Sequence, residues 1–309
     1  MIRIKKLILC LICSIFVTLI SAHTYADDLP PPPTSIDIKK AHLGKVEIAY
    51  YIRGQGKPLV MIMGFKGTMA HWDPELLKEL EKHYTLILFD NRGVGLSSDT
   101  SNNLTTIEQM ADDTAALIKA VGYPHANVLG WSMGARIAQQ VAVRHPDVVE
   151  KLILCAPNAG GEHQVEIDPL ISEMLVSSDL SDQEKLELLF PKTASGMAAG
   201  QDAAARIRAA VADGTIPTDF EVSDKTISRQ IKANKLWNNS EANWQALTRI
   251  KAPTLVSDGL EDILDPPANA RMIAEQIPYT WSAFFVNAGH AFLFQNYQRF
   301  ANLVFAFVG

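Results

Sequence analysis

The sequence predicts an α/β fold: a mostly parallel, doubly wound sheet with a helical cap insertion. Three observations predict it. Short apolar runs bounded by turn residues recur along the chain, segments of helical spacing separate them, and this alternation stops over residues 159–248, where no strand-like run occurs. Buried strands that alternate with helices make a parallel sheet covered on both faces.

The first residues stand outside that pattern. Arg3, Lys5 and Lys6 precede an uncharged run over 7–20, and Thr24-Tyr25-Ala26 sets small residues before Asp27-Asp28. This is the pattern of a cleavable secretory signal. The 14 apolar residues reach only ~21 Å as a helix, short of a ~30 Å hydrocarbon core. Residues 1–26 are therefore expected to be removed, leaving a secreted or periplasmic protein without a membrane span. Cys10 and Cys13 lie too early in the run, behind bulky Leu9 and Ile12, to carry lipid. Pro30 to Pro33 make residues 27–35 a stiff linker, and 36–309 the folded domain.

Within that domain the expected strands are 46–51, 59–63, 85–89, 127–129, 152–155, 254–257 and 282–286. The expected helices between them are 72–82, 106–121, 133–145, 269–276 and a closing apolar helix over 291–307. In 106–121, Ile107, Met110, Ala111, Thr114 and Leu117 share one face. The insertion reads as three or four helices, at 167–177, 182–190, 203–212 and 223–247. An all-helical excursion of that length between two strands is expected to cover the active edge of the sheet.

Composition narrows the function classes. At 309 residues, 48% hydrophobic and 20% charged, the chain is an ordinary globular one. Loss of 1–26 removes three basic and no acidic side chains and deepens the net charge from −6 to −9, which argues against nucleic acid as a partner. Of three cysteines only Cys155 lies beyond residue 26. No intramolecular disulfide is expected, and Cys155 reads as a buried strand residue.

The chemistry gathers around Gly130-Trp131-Ser132-Met133-Gly134. A bare G-x-S-x-G arises by chance in about one 300-residue chain in ten, so its setting carries the weight. It follows an expected strand and opens an expected helix, the strand–turn–helix context of an exposed nucleophilic serine. The Met133 N–H, at a helix N-terminus, is expected to face a developing oxyanion. Serine needs a base. His290 follows the last expected strand on a short loop, whereas His42, His71, His83, His125, His145 and His163 fall in elements expected away from the active edge. An acid between serine and histidine completes the order. Asp258, Asp262 and Asp265 follow the strand at 254–257; Asp262 lies within the loop and is favoured, with Asp265 in reserve.

Four stretches in order resemble capped esterases and lactonases of the α/β-hydrolase type. They are Met61 to Gly67 with Trp72 downstream, Asp90-Asn91-Arg92-Gly93-Val94-Gly95-Leu96-Ser97, Gly259 to Pro266, and Gly289-His290. The resemblance covers nearly all of 45–309 and implies that Phe65 and Met133 supply two oxyanion N–H groups. One departure is Met63, where such proteins commonly carry histidine. The implied activity is hydrolysis of small esters or related acyl compounds, lactones and C–C bonds included, with no metal or cofactor. The expected partner is a small acyl substrate, held by Trp131 and by Leu170, Met174, Leu186, Leu189, Phe190 and Trp237 at helical spacing in the insertion. The rival expectation is a small-ligand-binding protein on the same fold.

Overall fold

The computed structural model describes residues 36–100 and 105–309. The expected signal segment and linker, 1–26 and 27–35, lie outside the described residues. Among the described residues no helix is long and apolar enough to cross a membrane.

The chain runs β1 (Lys39–Leu43), β2 (Val46–Arg53), β3 (Lys57–Ile62), α1 (Pro74–Leu80), β4 (Tyr84–Phe89), α2 (Ile107–Ala120), β5 (Ala126–Trp131), α3 (Met133–Arg144) and β6 (Val149–Cys155). Five helices follow: α4 (Pro169–Val176), α5 (Asp182–Leu189), α6 (Ala194–Ala212), α7 (Asp224–Asn238) and α8 (Glu241–Ala246). The sheet resumes with β7 (Thr254–Gly259), α9 (Pro267–Gln276) and β8 (Thr280–Phe285), and α10 (Phe292–Gln295) and α11 (Tyr297–Val308) close the chain.

The sheet order is β1-β2-β4-β3-β5-β6-β7-β8. β1 and β2 pair antiparallel at one edge, and every pairing from β4 to β8 is parallel. Period-two alternation gives the central strands two cores. Val60 and Ile62 pack with Ile107 and Leu117 of α2, Ile137 of α3 and Ile273 of α9. Leu59 and Met61 pack on the other face with Leu76 and Leu77 of α1 and Phe300 and Val304 of α11. Several helix starts have a local cause. Asp73 caps α1 ahead of Pro74, and Thr106 with Gln109 forms a capping box on α2, as Ser181 with Glu184 does on α5.

Three departures from the sequence reading have plain reasons. β1 was not expected: it is an edge strand whose Lys39, Lys40 and His42 face solvent, so it lacks an apolar run. α6 begins at Ala194, capped by Thr193, nine residues ahead of the expected start; Gly196 and Gly200 inside it depress helix propensity. The segments expected as single helices at 223–247 and 291–307 are each broken, near Asn239-Ser240 and at Asn296.

Candidate active site

The strand order creates the site. The chain leaves β3 for β4 on one side, then returns to lay β5 on the other, so β3 and β5 flank a switch point at their carboxyl ends. Ligands of open α/β sheets bind at such a point. The turn carrying Gly64 and Phe65 follows β3, and Ser132 follows β5. The loops after β7 and β8 bring Asp262 and His290 to the same edge.

Ser132 sits in a tight turn with φ 60° and ψ −124°, a conformation unfavourable for a non-glycine residue. The flanking glycines explain why the turn is possible. A Cβ on Gly134 would stand 2.0 Å from the Ile62 carbonyl oxygen, and one on Gly130 would stand 2.1 Å from the Gly134 oxygen. Only glycine lets α3 pass this close to β3 and β5. The Met133 N–H, first in α3, has no intrahelical acceptor.

His290 is buried, and its Nδ1 lies 2.7 Å from Asp262 Oδ2. Asp262 Oδ1 accepts from the N–H groups of Leu264 (2.7 Å) and Asp265 (3.1 Å), which fixes the carboxylate. Trp131 Nε1 donates to the His290 carbonyl at 2.9 Å, bracing the other side of the loop. Burial works against a charged imidazole, but the Asp262 charge and hydrogen bond, with Asp265 behind, outweigh it and raise the His290 pKa above 6.5. The Ser132 hydroxyl has no hydrogen-bond partner among the described residues.

Asp265 is engaged elsewhere. Arg136, one turn along α3 from Ser132, donates to its two carboxylate oxygens at 2.9 and 3.2 Å. Arg136 also donates to Asn234 Oδ1 of α7 at 2.9 Å. Asp90 of the Asp90-to-Ser97 stretch serves as a brace: its two oxygens accept from the N–H groups of Met69 and Leu96 at 2.7 and 3.0 Å. Burial pushes its pKa up to about 6. Cys155 is buried in β6, and burial raises its thiol well above the usual range.

A cavity of about 670 Å³ opens over this edge, lined by Ser132, Met133, Gly64, Phe65 and His290. Of the side chains expected on its wall, Trp131, Leu186, Leu189 and Phe190 line it. Leu170, Met174 and Trp237 are not among its lining residues. Leu170 is 69% exposed; Trp237 is 2% exposed, packed in the core with Nε1 donating to the Asn158 carbonyl. In α4 the line is taken by Leu175 and Val176 instead. That eight-residue helix, PLISEMLV, is apolar almost all round, so its phase was not legible.

His71 corrects the expectation that only His290 among the histidines reaches this edge, because it too lines the cavity. Its Nδ1 accepts from the Thr68 N–H at 3.0 Å, and burial lowers its pKa to about 4. Sequence reasoning also missed the polar side of the cavity, formed by Arg136, Asn158, Gln164, Asn234 and Asn238. Lys66, after Phe65, was missed as a tether. It has φ 59°, donates its N–H to Gln230 Oε1 of α7 at 3.0 Å, and its Nζ to the carbonyls of Leu175 (3.0 Å) and Ser177 (2.9 Å). Among the described residues no cluster of side chains is arranged to hold a metal ion.

Comparison with known proteins agrees with this architecture. A chain named as a non-heme bromoperoxidase, BpoC of Mycobacterium tuberculosis, is 28% identical over 265 residues, covering 81% of this chain and 93% of that one. A chain named as a carbamate hydrolase, RutD of Caulobacter sp., is 25% identical over 236 residues, covering 76% and 84%. An alpha/beta hydrolase fold protein from Chitinophaga pinensis superposes with a TM-score of 0.77 at 25% identity, covering 88% and 97%. A meta-cleavage product hydrolase from Pseudomonas fluorescens shares the fold, at TM-score 0.69 and 20% identity over 87% and 97% of the two chains. The model of the alpha/beta hydrolase fold family matches residues 57–297, and this chain belongs to that family.

Proposed function

We propose that the protein is a serine hydrolase that cleaves small carboxylic esters or related acyl compounds through an acyl-enzyme. Ser132 attacks the carbonyl. His290 takes its proton and returns it to the leaving group, while Asp262 holds the imidazole tautomer and stabilises the imidazolium. The N–H groups of Phe65 and Met133 receive the oxyanion. The observation that carries this reading is the 2.7 Å contact between Asp262 and His290, behind a cavity lined by both His290 and Ser132, the latter on its strained turn. The hydrogen bond from Ser132 to His290 forms as substrate closes the site, as such bonds often do.

Helices α4–α8 act as a cap, and its Leu189, Phe190 and Ile207 line the same cavity as Ser132 and His290. A cavity of this size favours acyl chains of about two to eight carbons over emulsified long-chain triglycerides. The test is kcat/KM across p-nitrophenyl esters of rising chain length, run beside lactones, a carbamate and a vinylogous diketone. A peak on short or medium esters supports the reading. Turnover of the diketone or carbamate alone moves the assignment to that bond on the same triad, and saturable binding with no turnover of any supports a binding protein.

Export is part of the proposal. The mature protein begins at Asp27, and the intact mass of exported material is the check: a mass that retains residues 1–26 or carries acyl chains contradicts it.

A further inference from the structure

Three carboxyl groups, Asp258, Asp262 and Asp265, are buried along the end of β7 and the loop after it. Two of them have donors at both oxygens. Asp262 faces His290 and two backbone N–H groups, and Asp265 faces Arg136. Asp258 differs. It is 0% exposed, its Oδ1 accepts from the Gly259 N–H at 2.8 Å, and its Oδ2 is buried with no donor. The groups that bear on it are the Asp262 and Asp265 carboxylates from its own loop and the Cys155 thiol of β6. Among the described residues no cation is a main influence on it. An ionised carboxylate in that place would bear the full cost of burial beside two like charges. A proton removes that cost, and it gives Oδ2 a hydrogen to donate towards the neighbouring Asp262.

We propose that Asp258 is a neutral carboxylic acid whose Oδ2–H donates to the Asp262 carboxylate, making it a positioning residue that limits how basic His290 becomes. The proposal rests on the triad described above. A carboxylate offers about four acceptor sites. The Asp258 hydroxyl would join the Leu264 and Asp265 N–H groups and His290 Nδ1 in filling them. Each donor draws charge from Asp262, so less remains to stabilise the imidazolium. The other groups facing His290 are Asp265, which favours its protonated form, and Arg136, which opposes it. Burial acts first on Asp258 and the Asp262 charge second, and both keep its pKa well above the carboxylate range.

The experiment compares Asp258→Val, which deletes the donor, with Asp258→Asn, which keeps an N–H donor of similar shape. His290 is titrated by NMR in a Ser132→Ala background, and the acid limb of kcat/KM is followed with Ser132 intact. Because the wild-type group is neutral, neither substitution changes the charge of the site. The expected result is an upward shift of the His290 midpoint in Asp258→Val by about half a pH unit or more, and a clearly smaller one in Asp258→Asn. No shift in the valine variant, or an equal shift in both, reduces Asp258 to a structural role and overturns the proposal. A downward shift in both shows that Asp258 is ionised and overturns it as well. If the valine variant does not fold, the infrared difference spectrum of wild type against Asp258→Asn decides. A protonated carboxyl C=O stretch must be present in the wild type, and its absence overturns the proposal. The NMR titration needs no turnover. An inactive protein with the predicted shift therefore defeats the hydrolase reading alone, and an active one without the shift defeats this inference alone.

Discussion

Arg136 Nη2 donates to both carboxylate oxygens of Asp265, at 2.9 and 3.2 Å, and this pairing separates Asp265 from Asp262 although both stand on the loop after β7. The two aspartates are therefore expected to fail differently. Asp262→Asn lowers kcat by about 10⁴-fold, the size seen when the acid of a serine triad becomes an amide, with little loss of stability. Asp265→Ala leaves the buried Arg136 charge without its partner and costs about 3–5 kcal/mol of stability, with a smaller effect on kcat. Denaturant unfolding and steady-state kinetics on both variants test this, and the opposite order would reassign the acid.

His71 makes stability depend on pH. Its folded pKa of about 4 lies below the ~6.5 of an unfolded chain, so the unfolded state takes up the proton first as pH falls. The stability it contributes is complete above pH ~6.5 and is lost between there and pH ~4, up to about 3 kcal/mol. Asp90 acts in the reverse sense. With a folded pKa of about 6 it loses stability as pH rises from ~3.8 to ~6. The difference between wild type and His71→Gln isolates the histidine, since glutamine keeps an acceptor for Thr68 but does not titrate. The stability of wild type relative to His71→Gln should fall on acidification from pH ~6.5 to about 4; a constant difference contradicts the assignment.

Lys66 ties the turn after β3 to the end of α4 through the Leu175 and Ser177 carbonyls. Lys66→Met removes both bonds while keeping the apolar stem. The expected cost is about 1–3 kcal/mol, felt as faster amide exchange in α4 with little change in β5 and α3. Unchanged exchange in α4 would show that this tether holds nothing.

The parallel sheet was legible because β4 through β7 are short apolar runs, and their order along the chain placed Ser132, Asp262 and His290 at one edge. What was not legible depends on packing rather than pattern. β1 hides because Lys39, Lys40 and His42 face water. α4 is apolar on nearly every face, so spacing alone does not distinguish Leu170, which is exposed, from Leu175, which lines the cavity. Trp237 looked like a wall residue because it is large and at helical spacing, yet it fills the core beneath α7. Arg136, Asn234 and Gln230 carry no motif. They meet the site only when the helices after β6 fold back over α3 and the turn after β3.

The most direct test of the central claim is to treat the protein with a fluorophosphonate probe, map the adduct by peptide mass spectrometry, and measure ester turnover in Ser132→Ala. The account predicts one adduct, on Ser132, and a folded alanine variant that neither labels nor turns over ester. An adduct on another residue, or an alanine variant that keeps wild-type turnover, would contradict it.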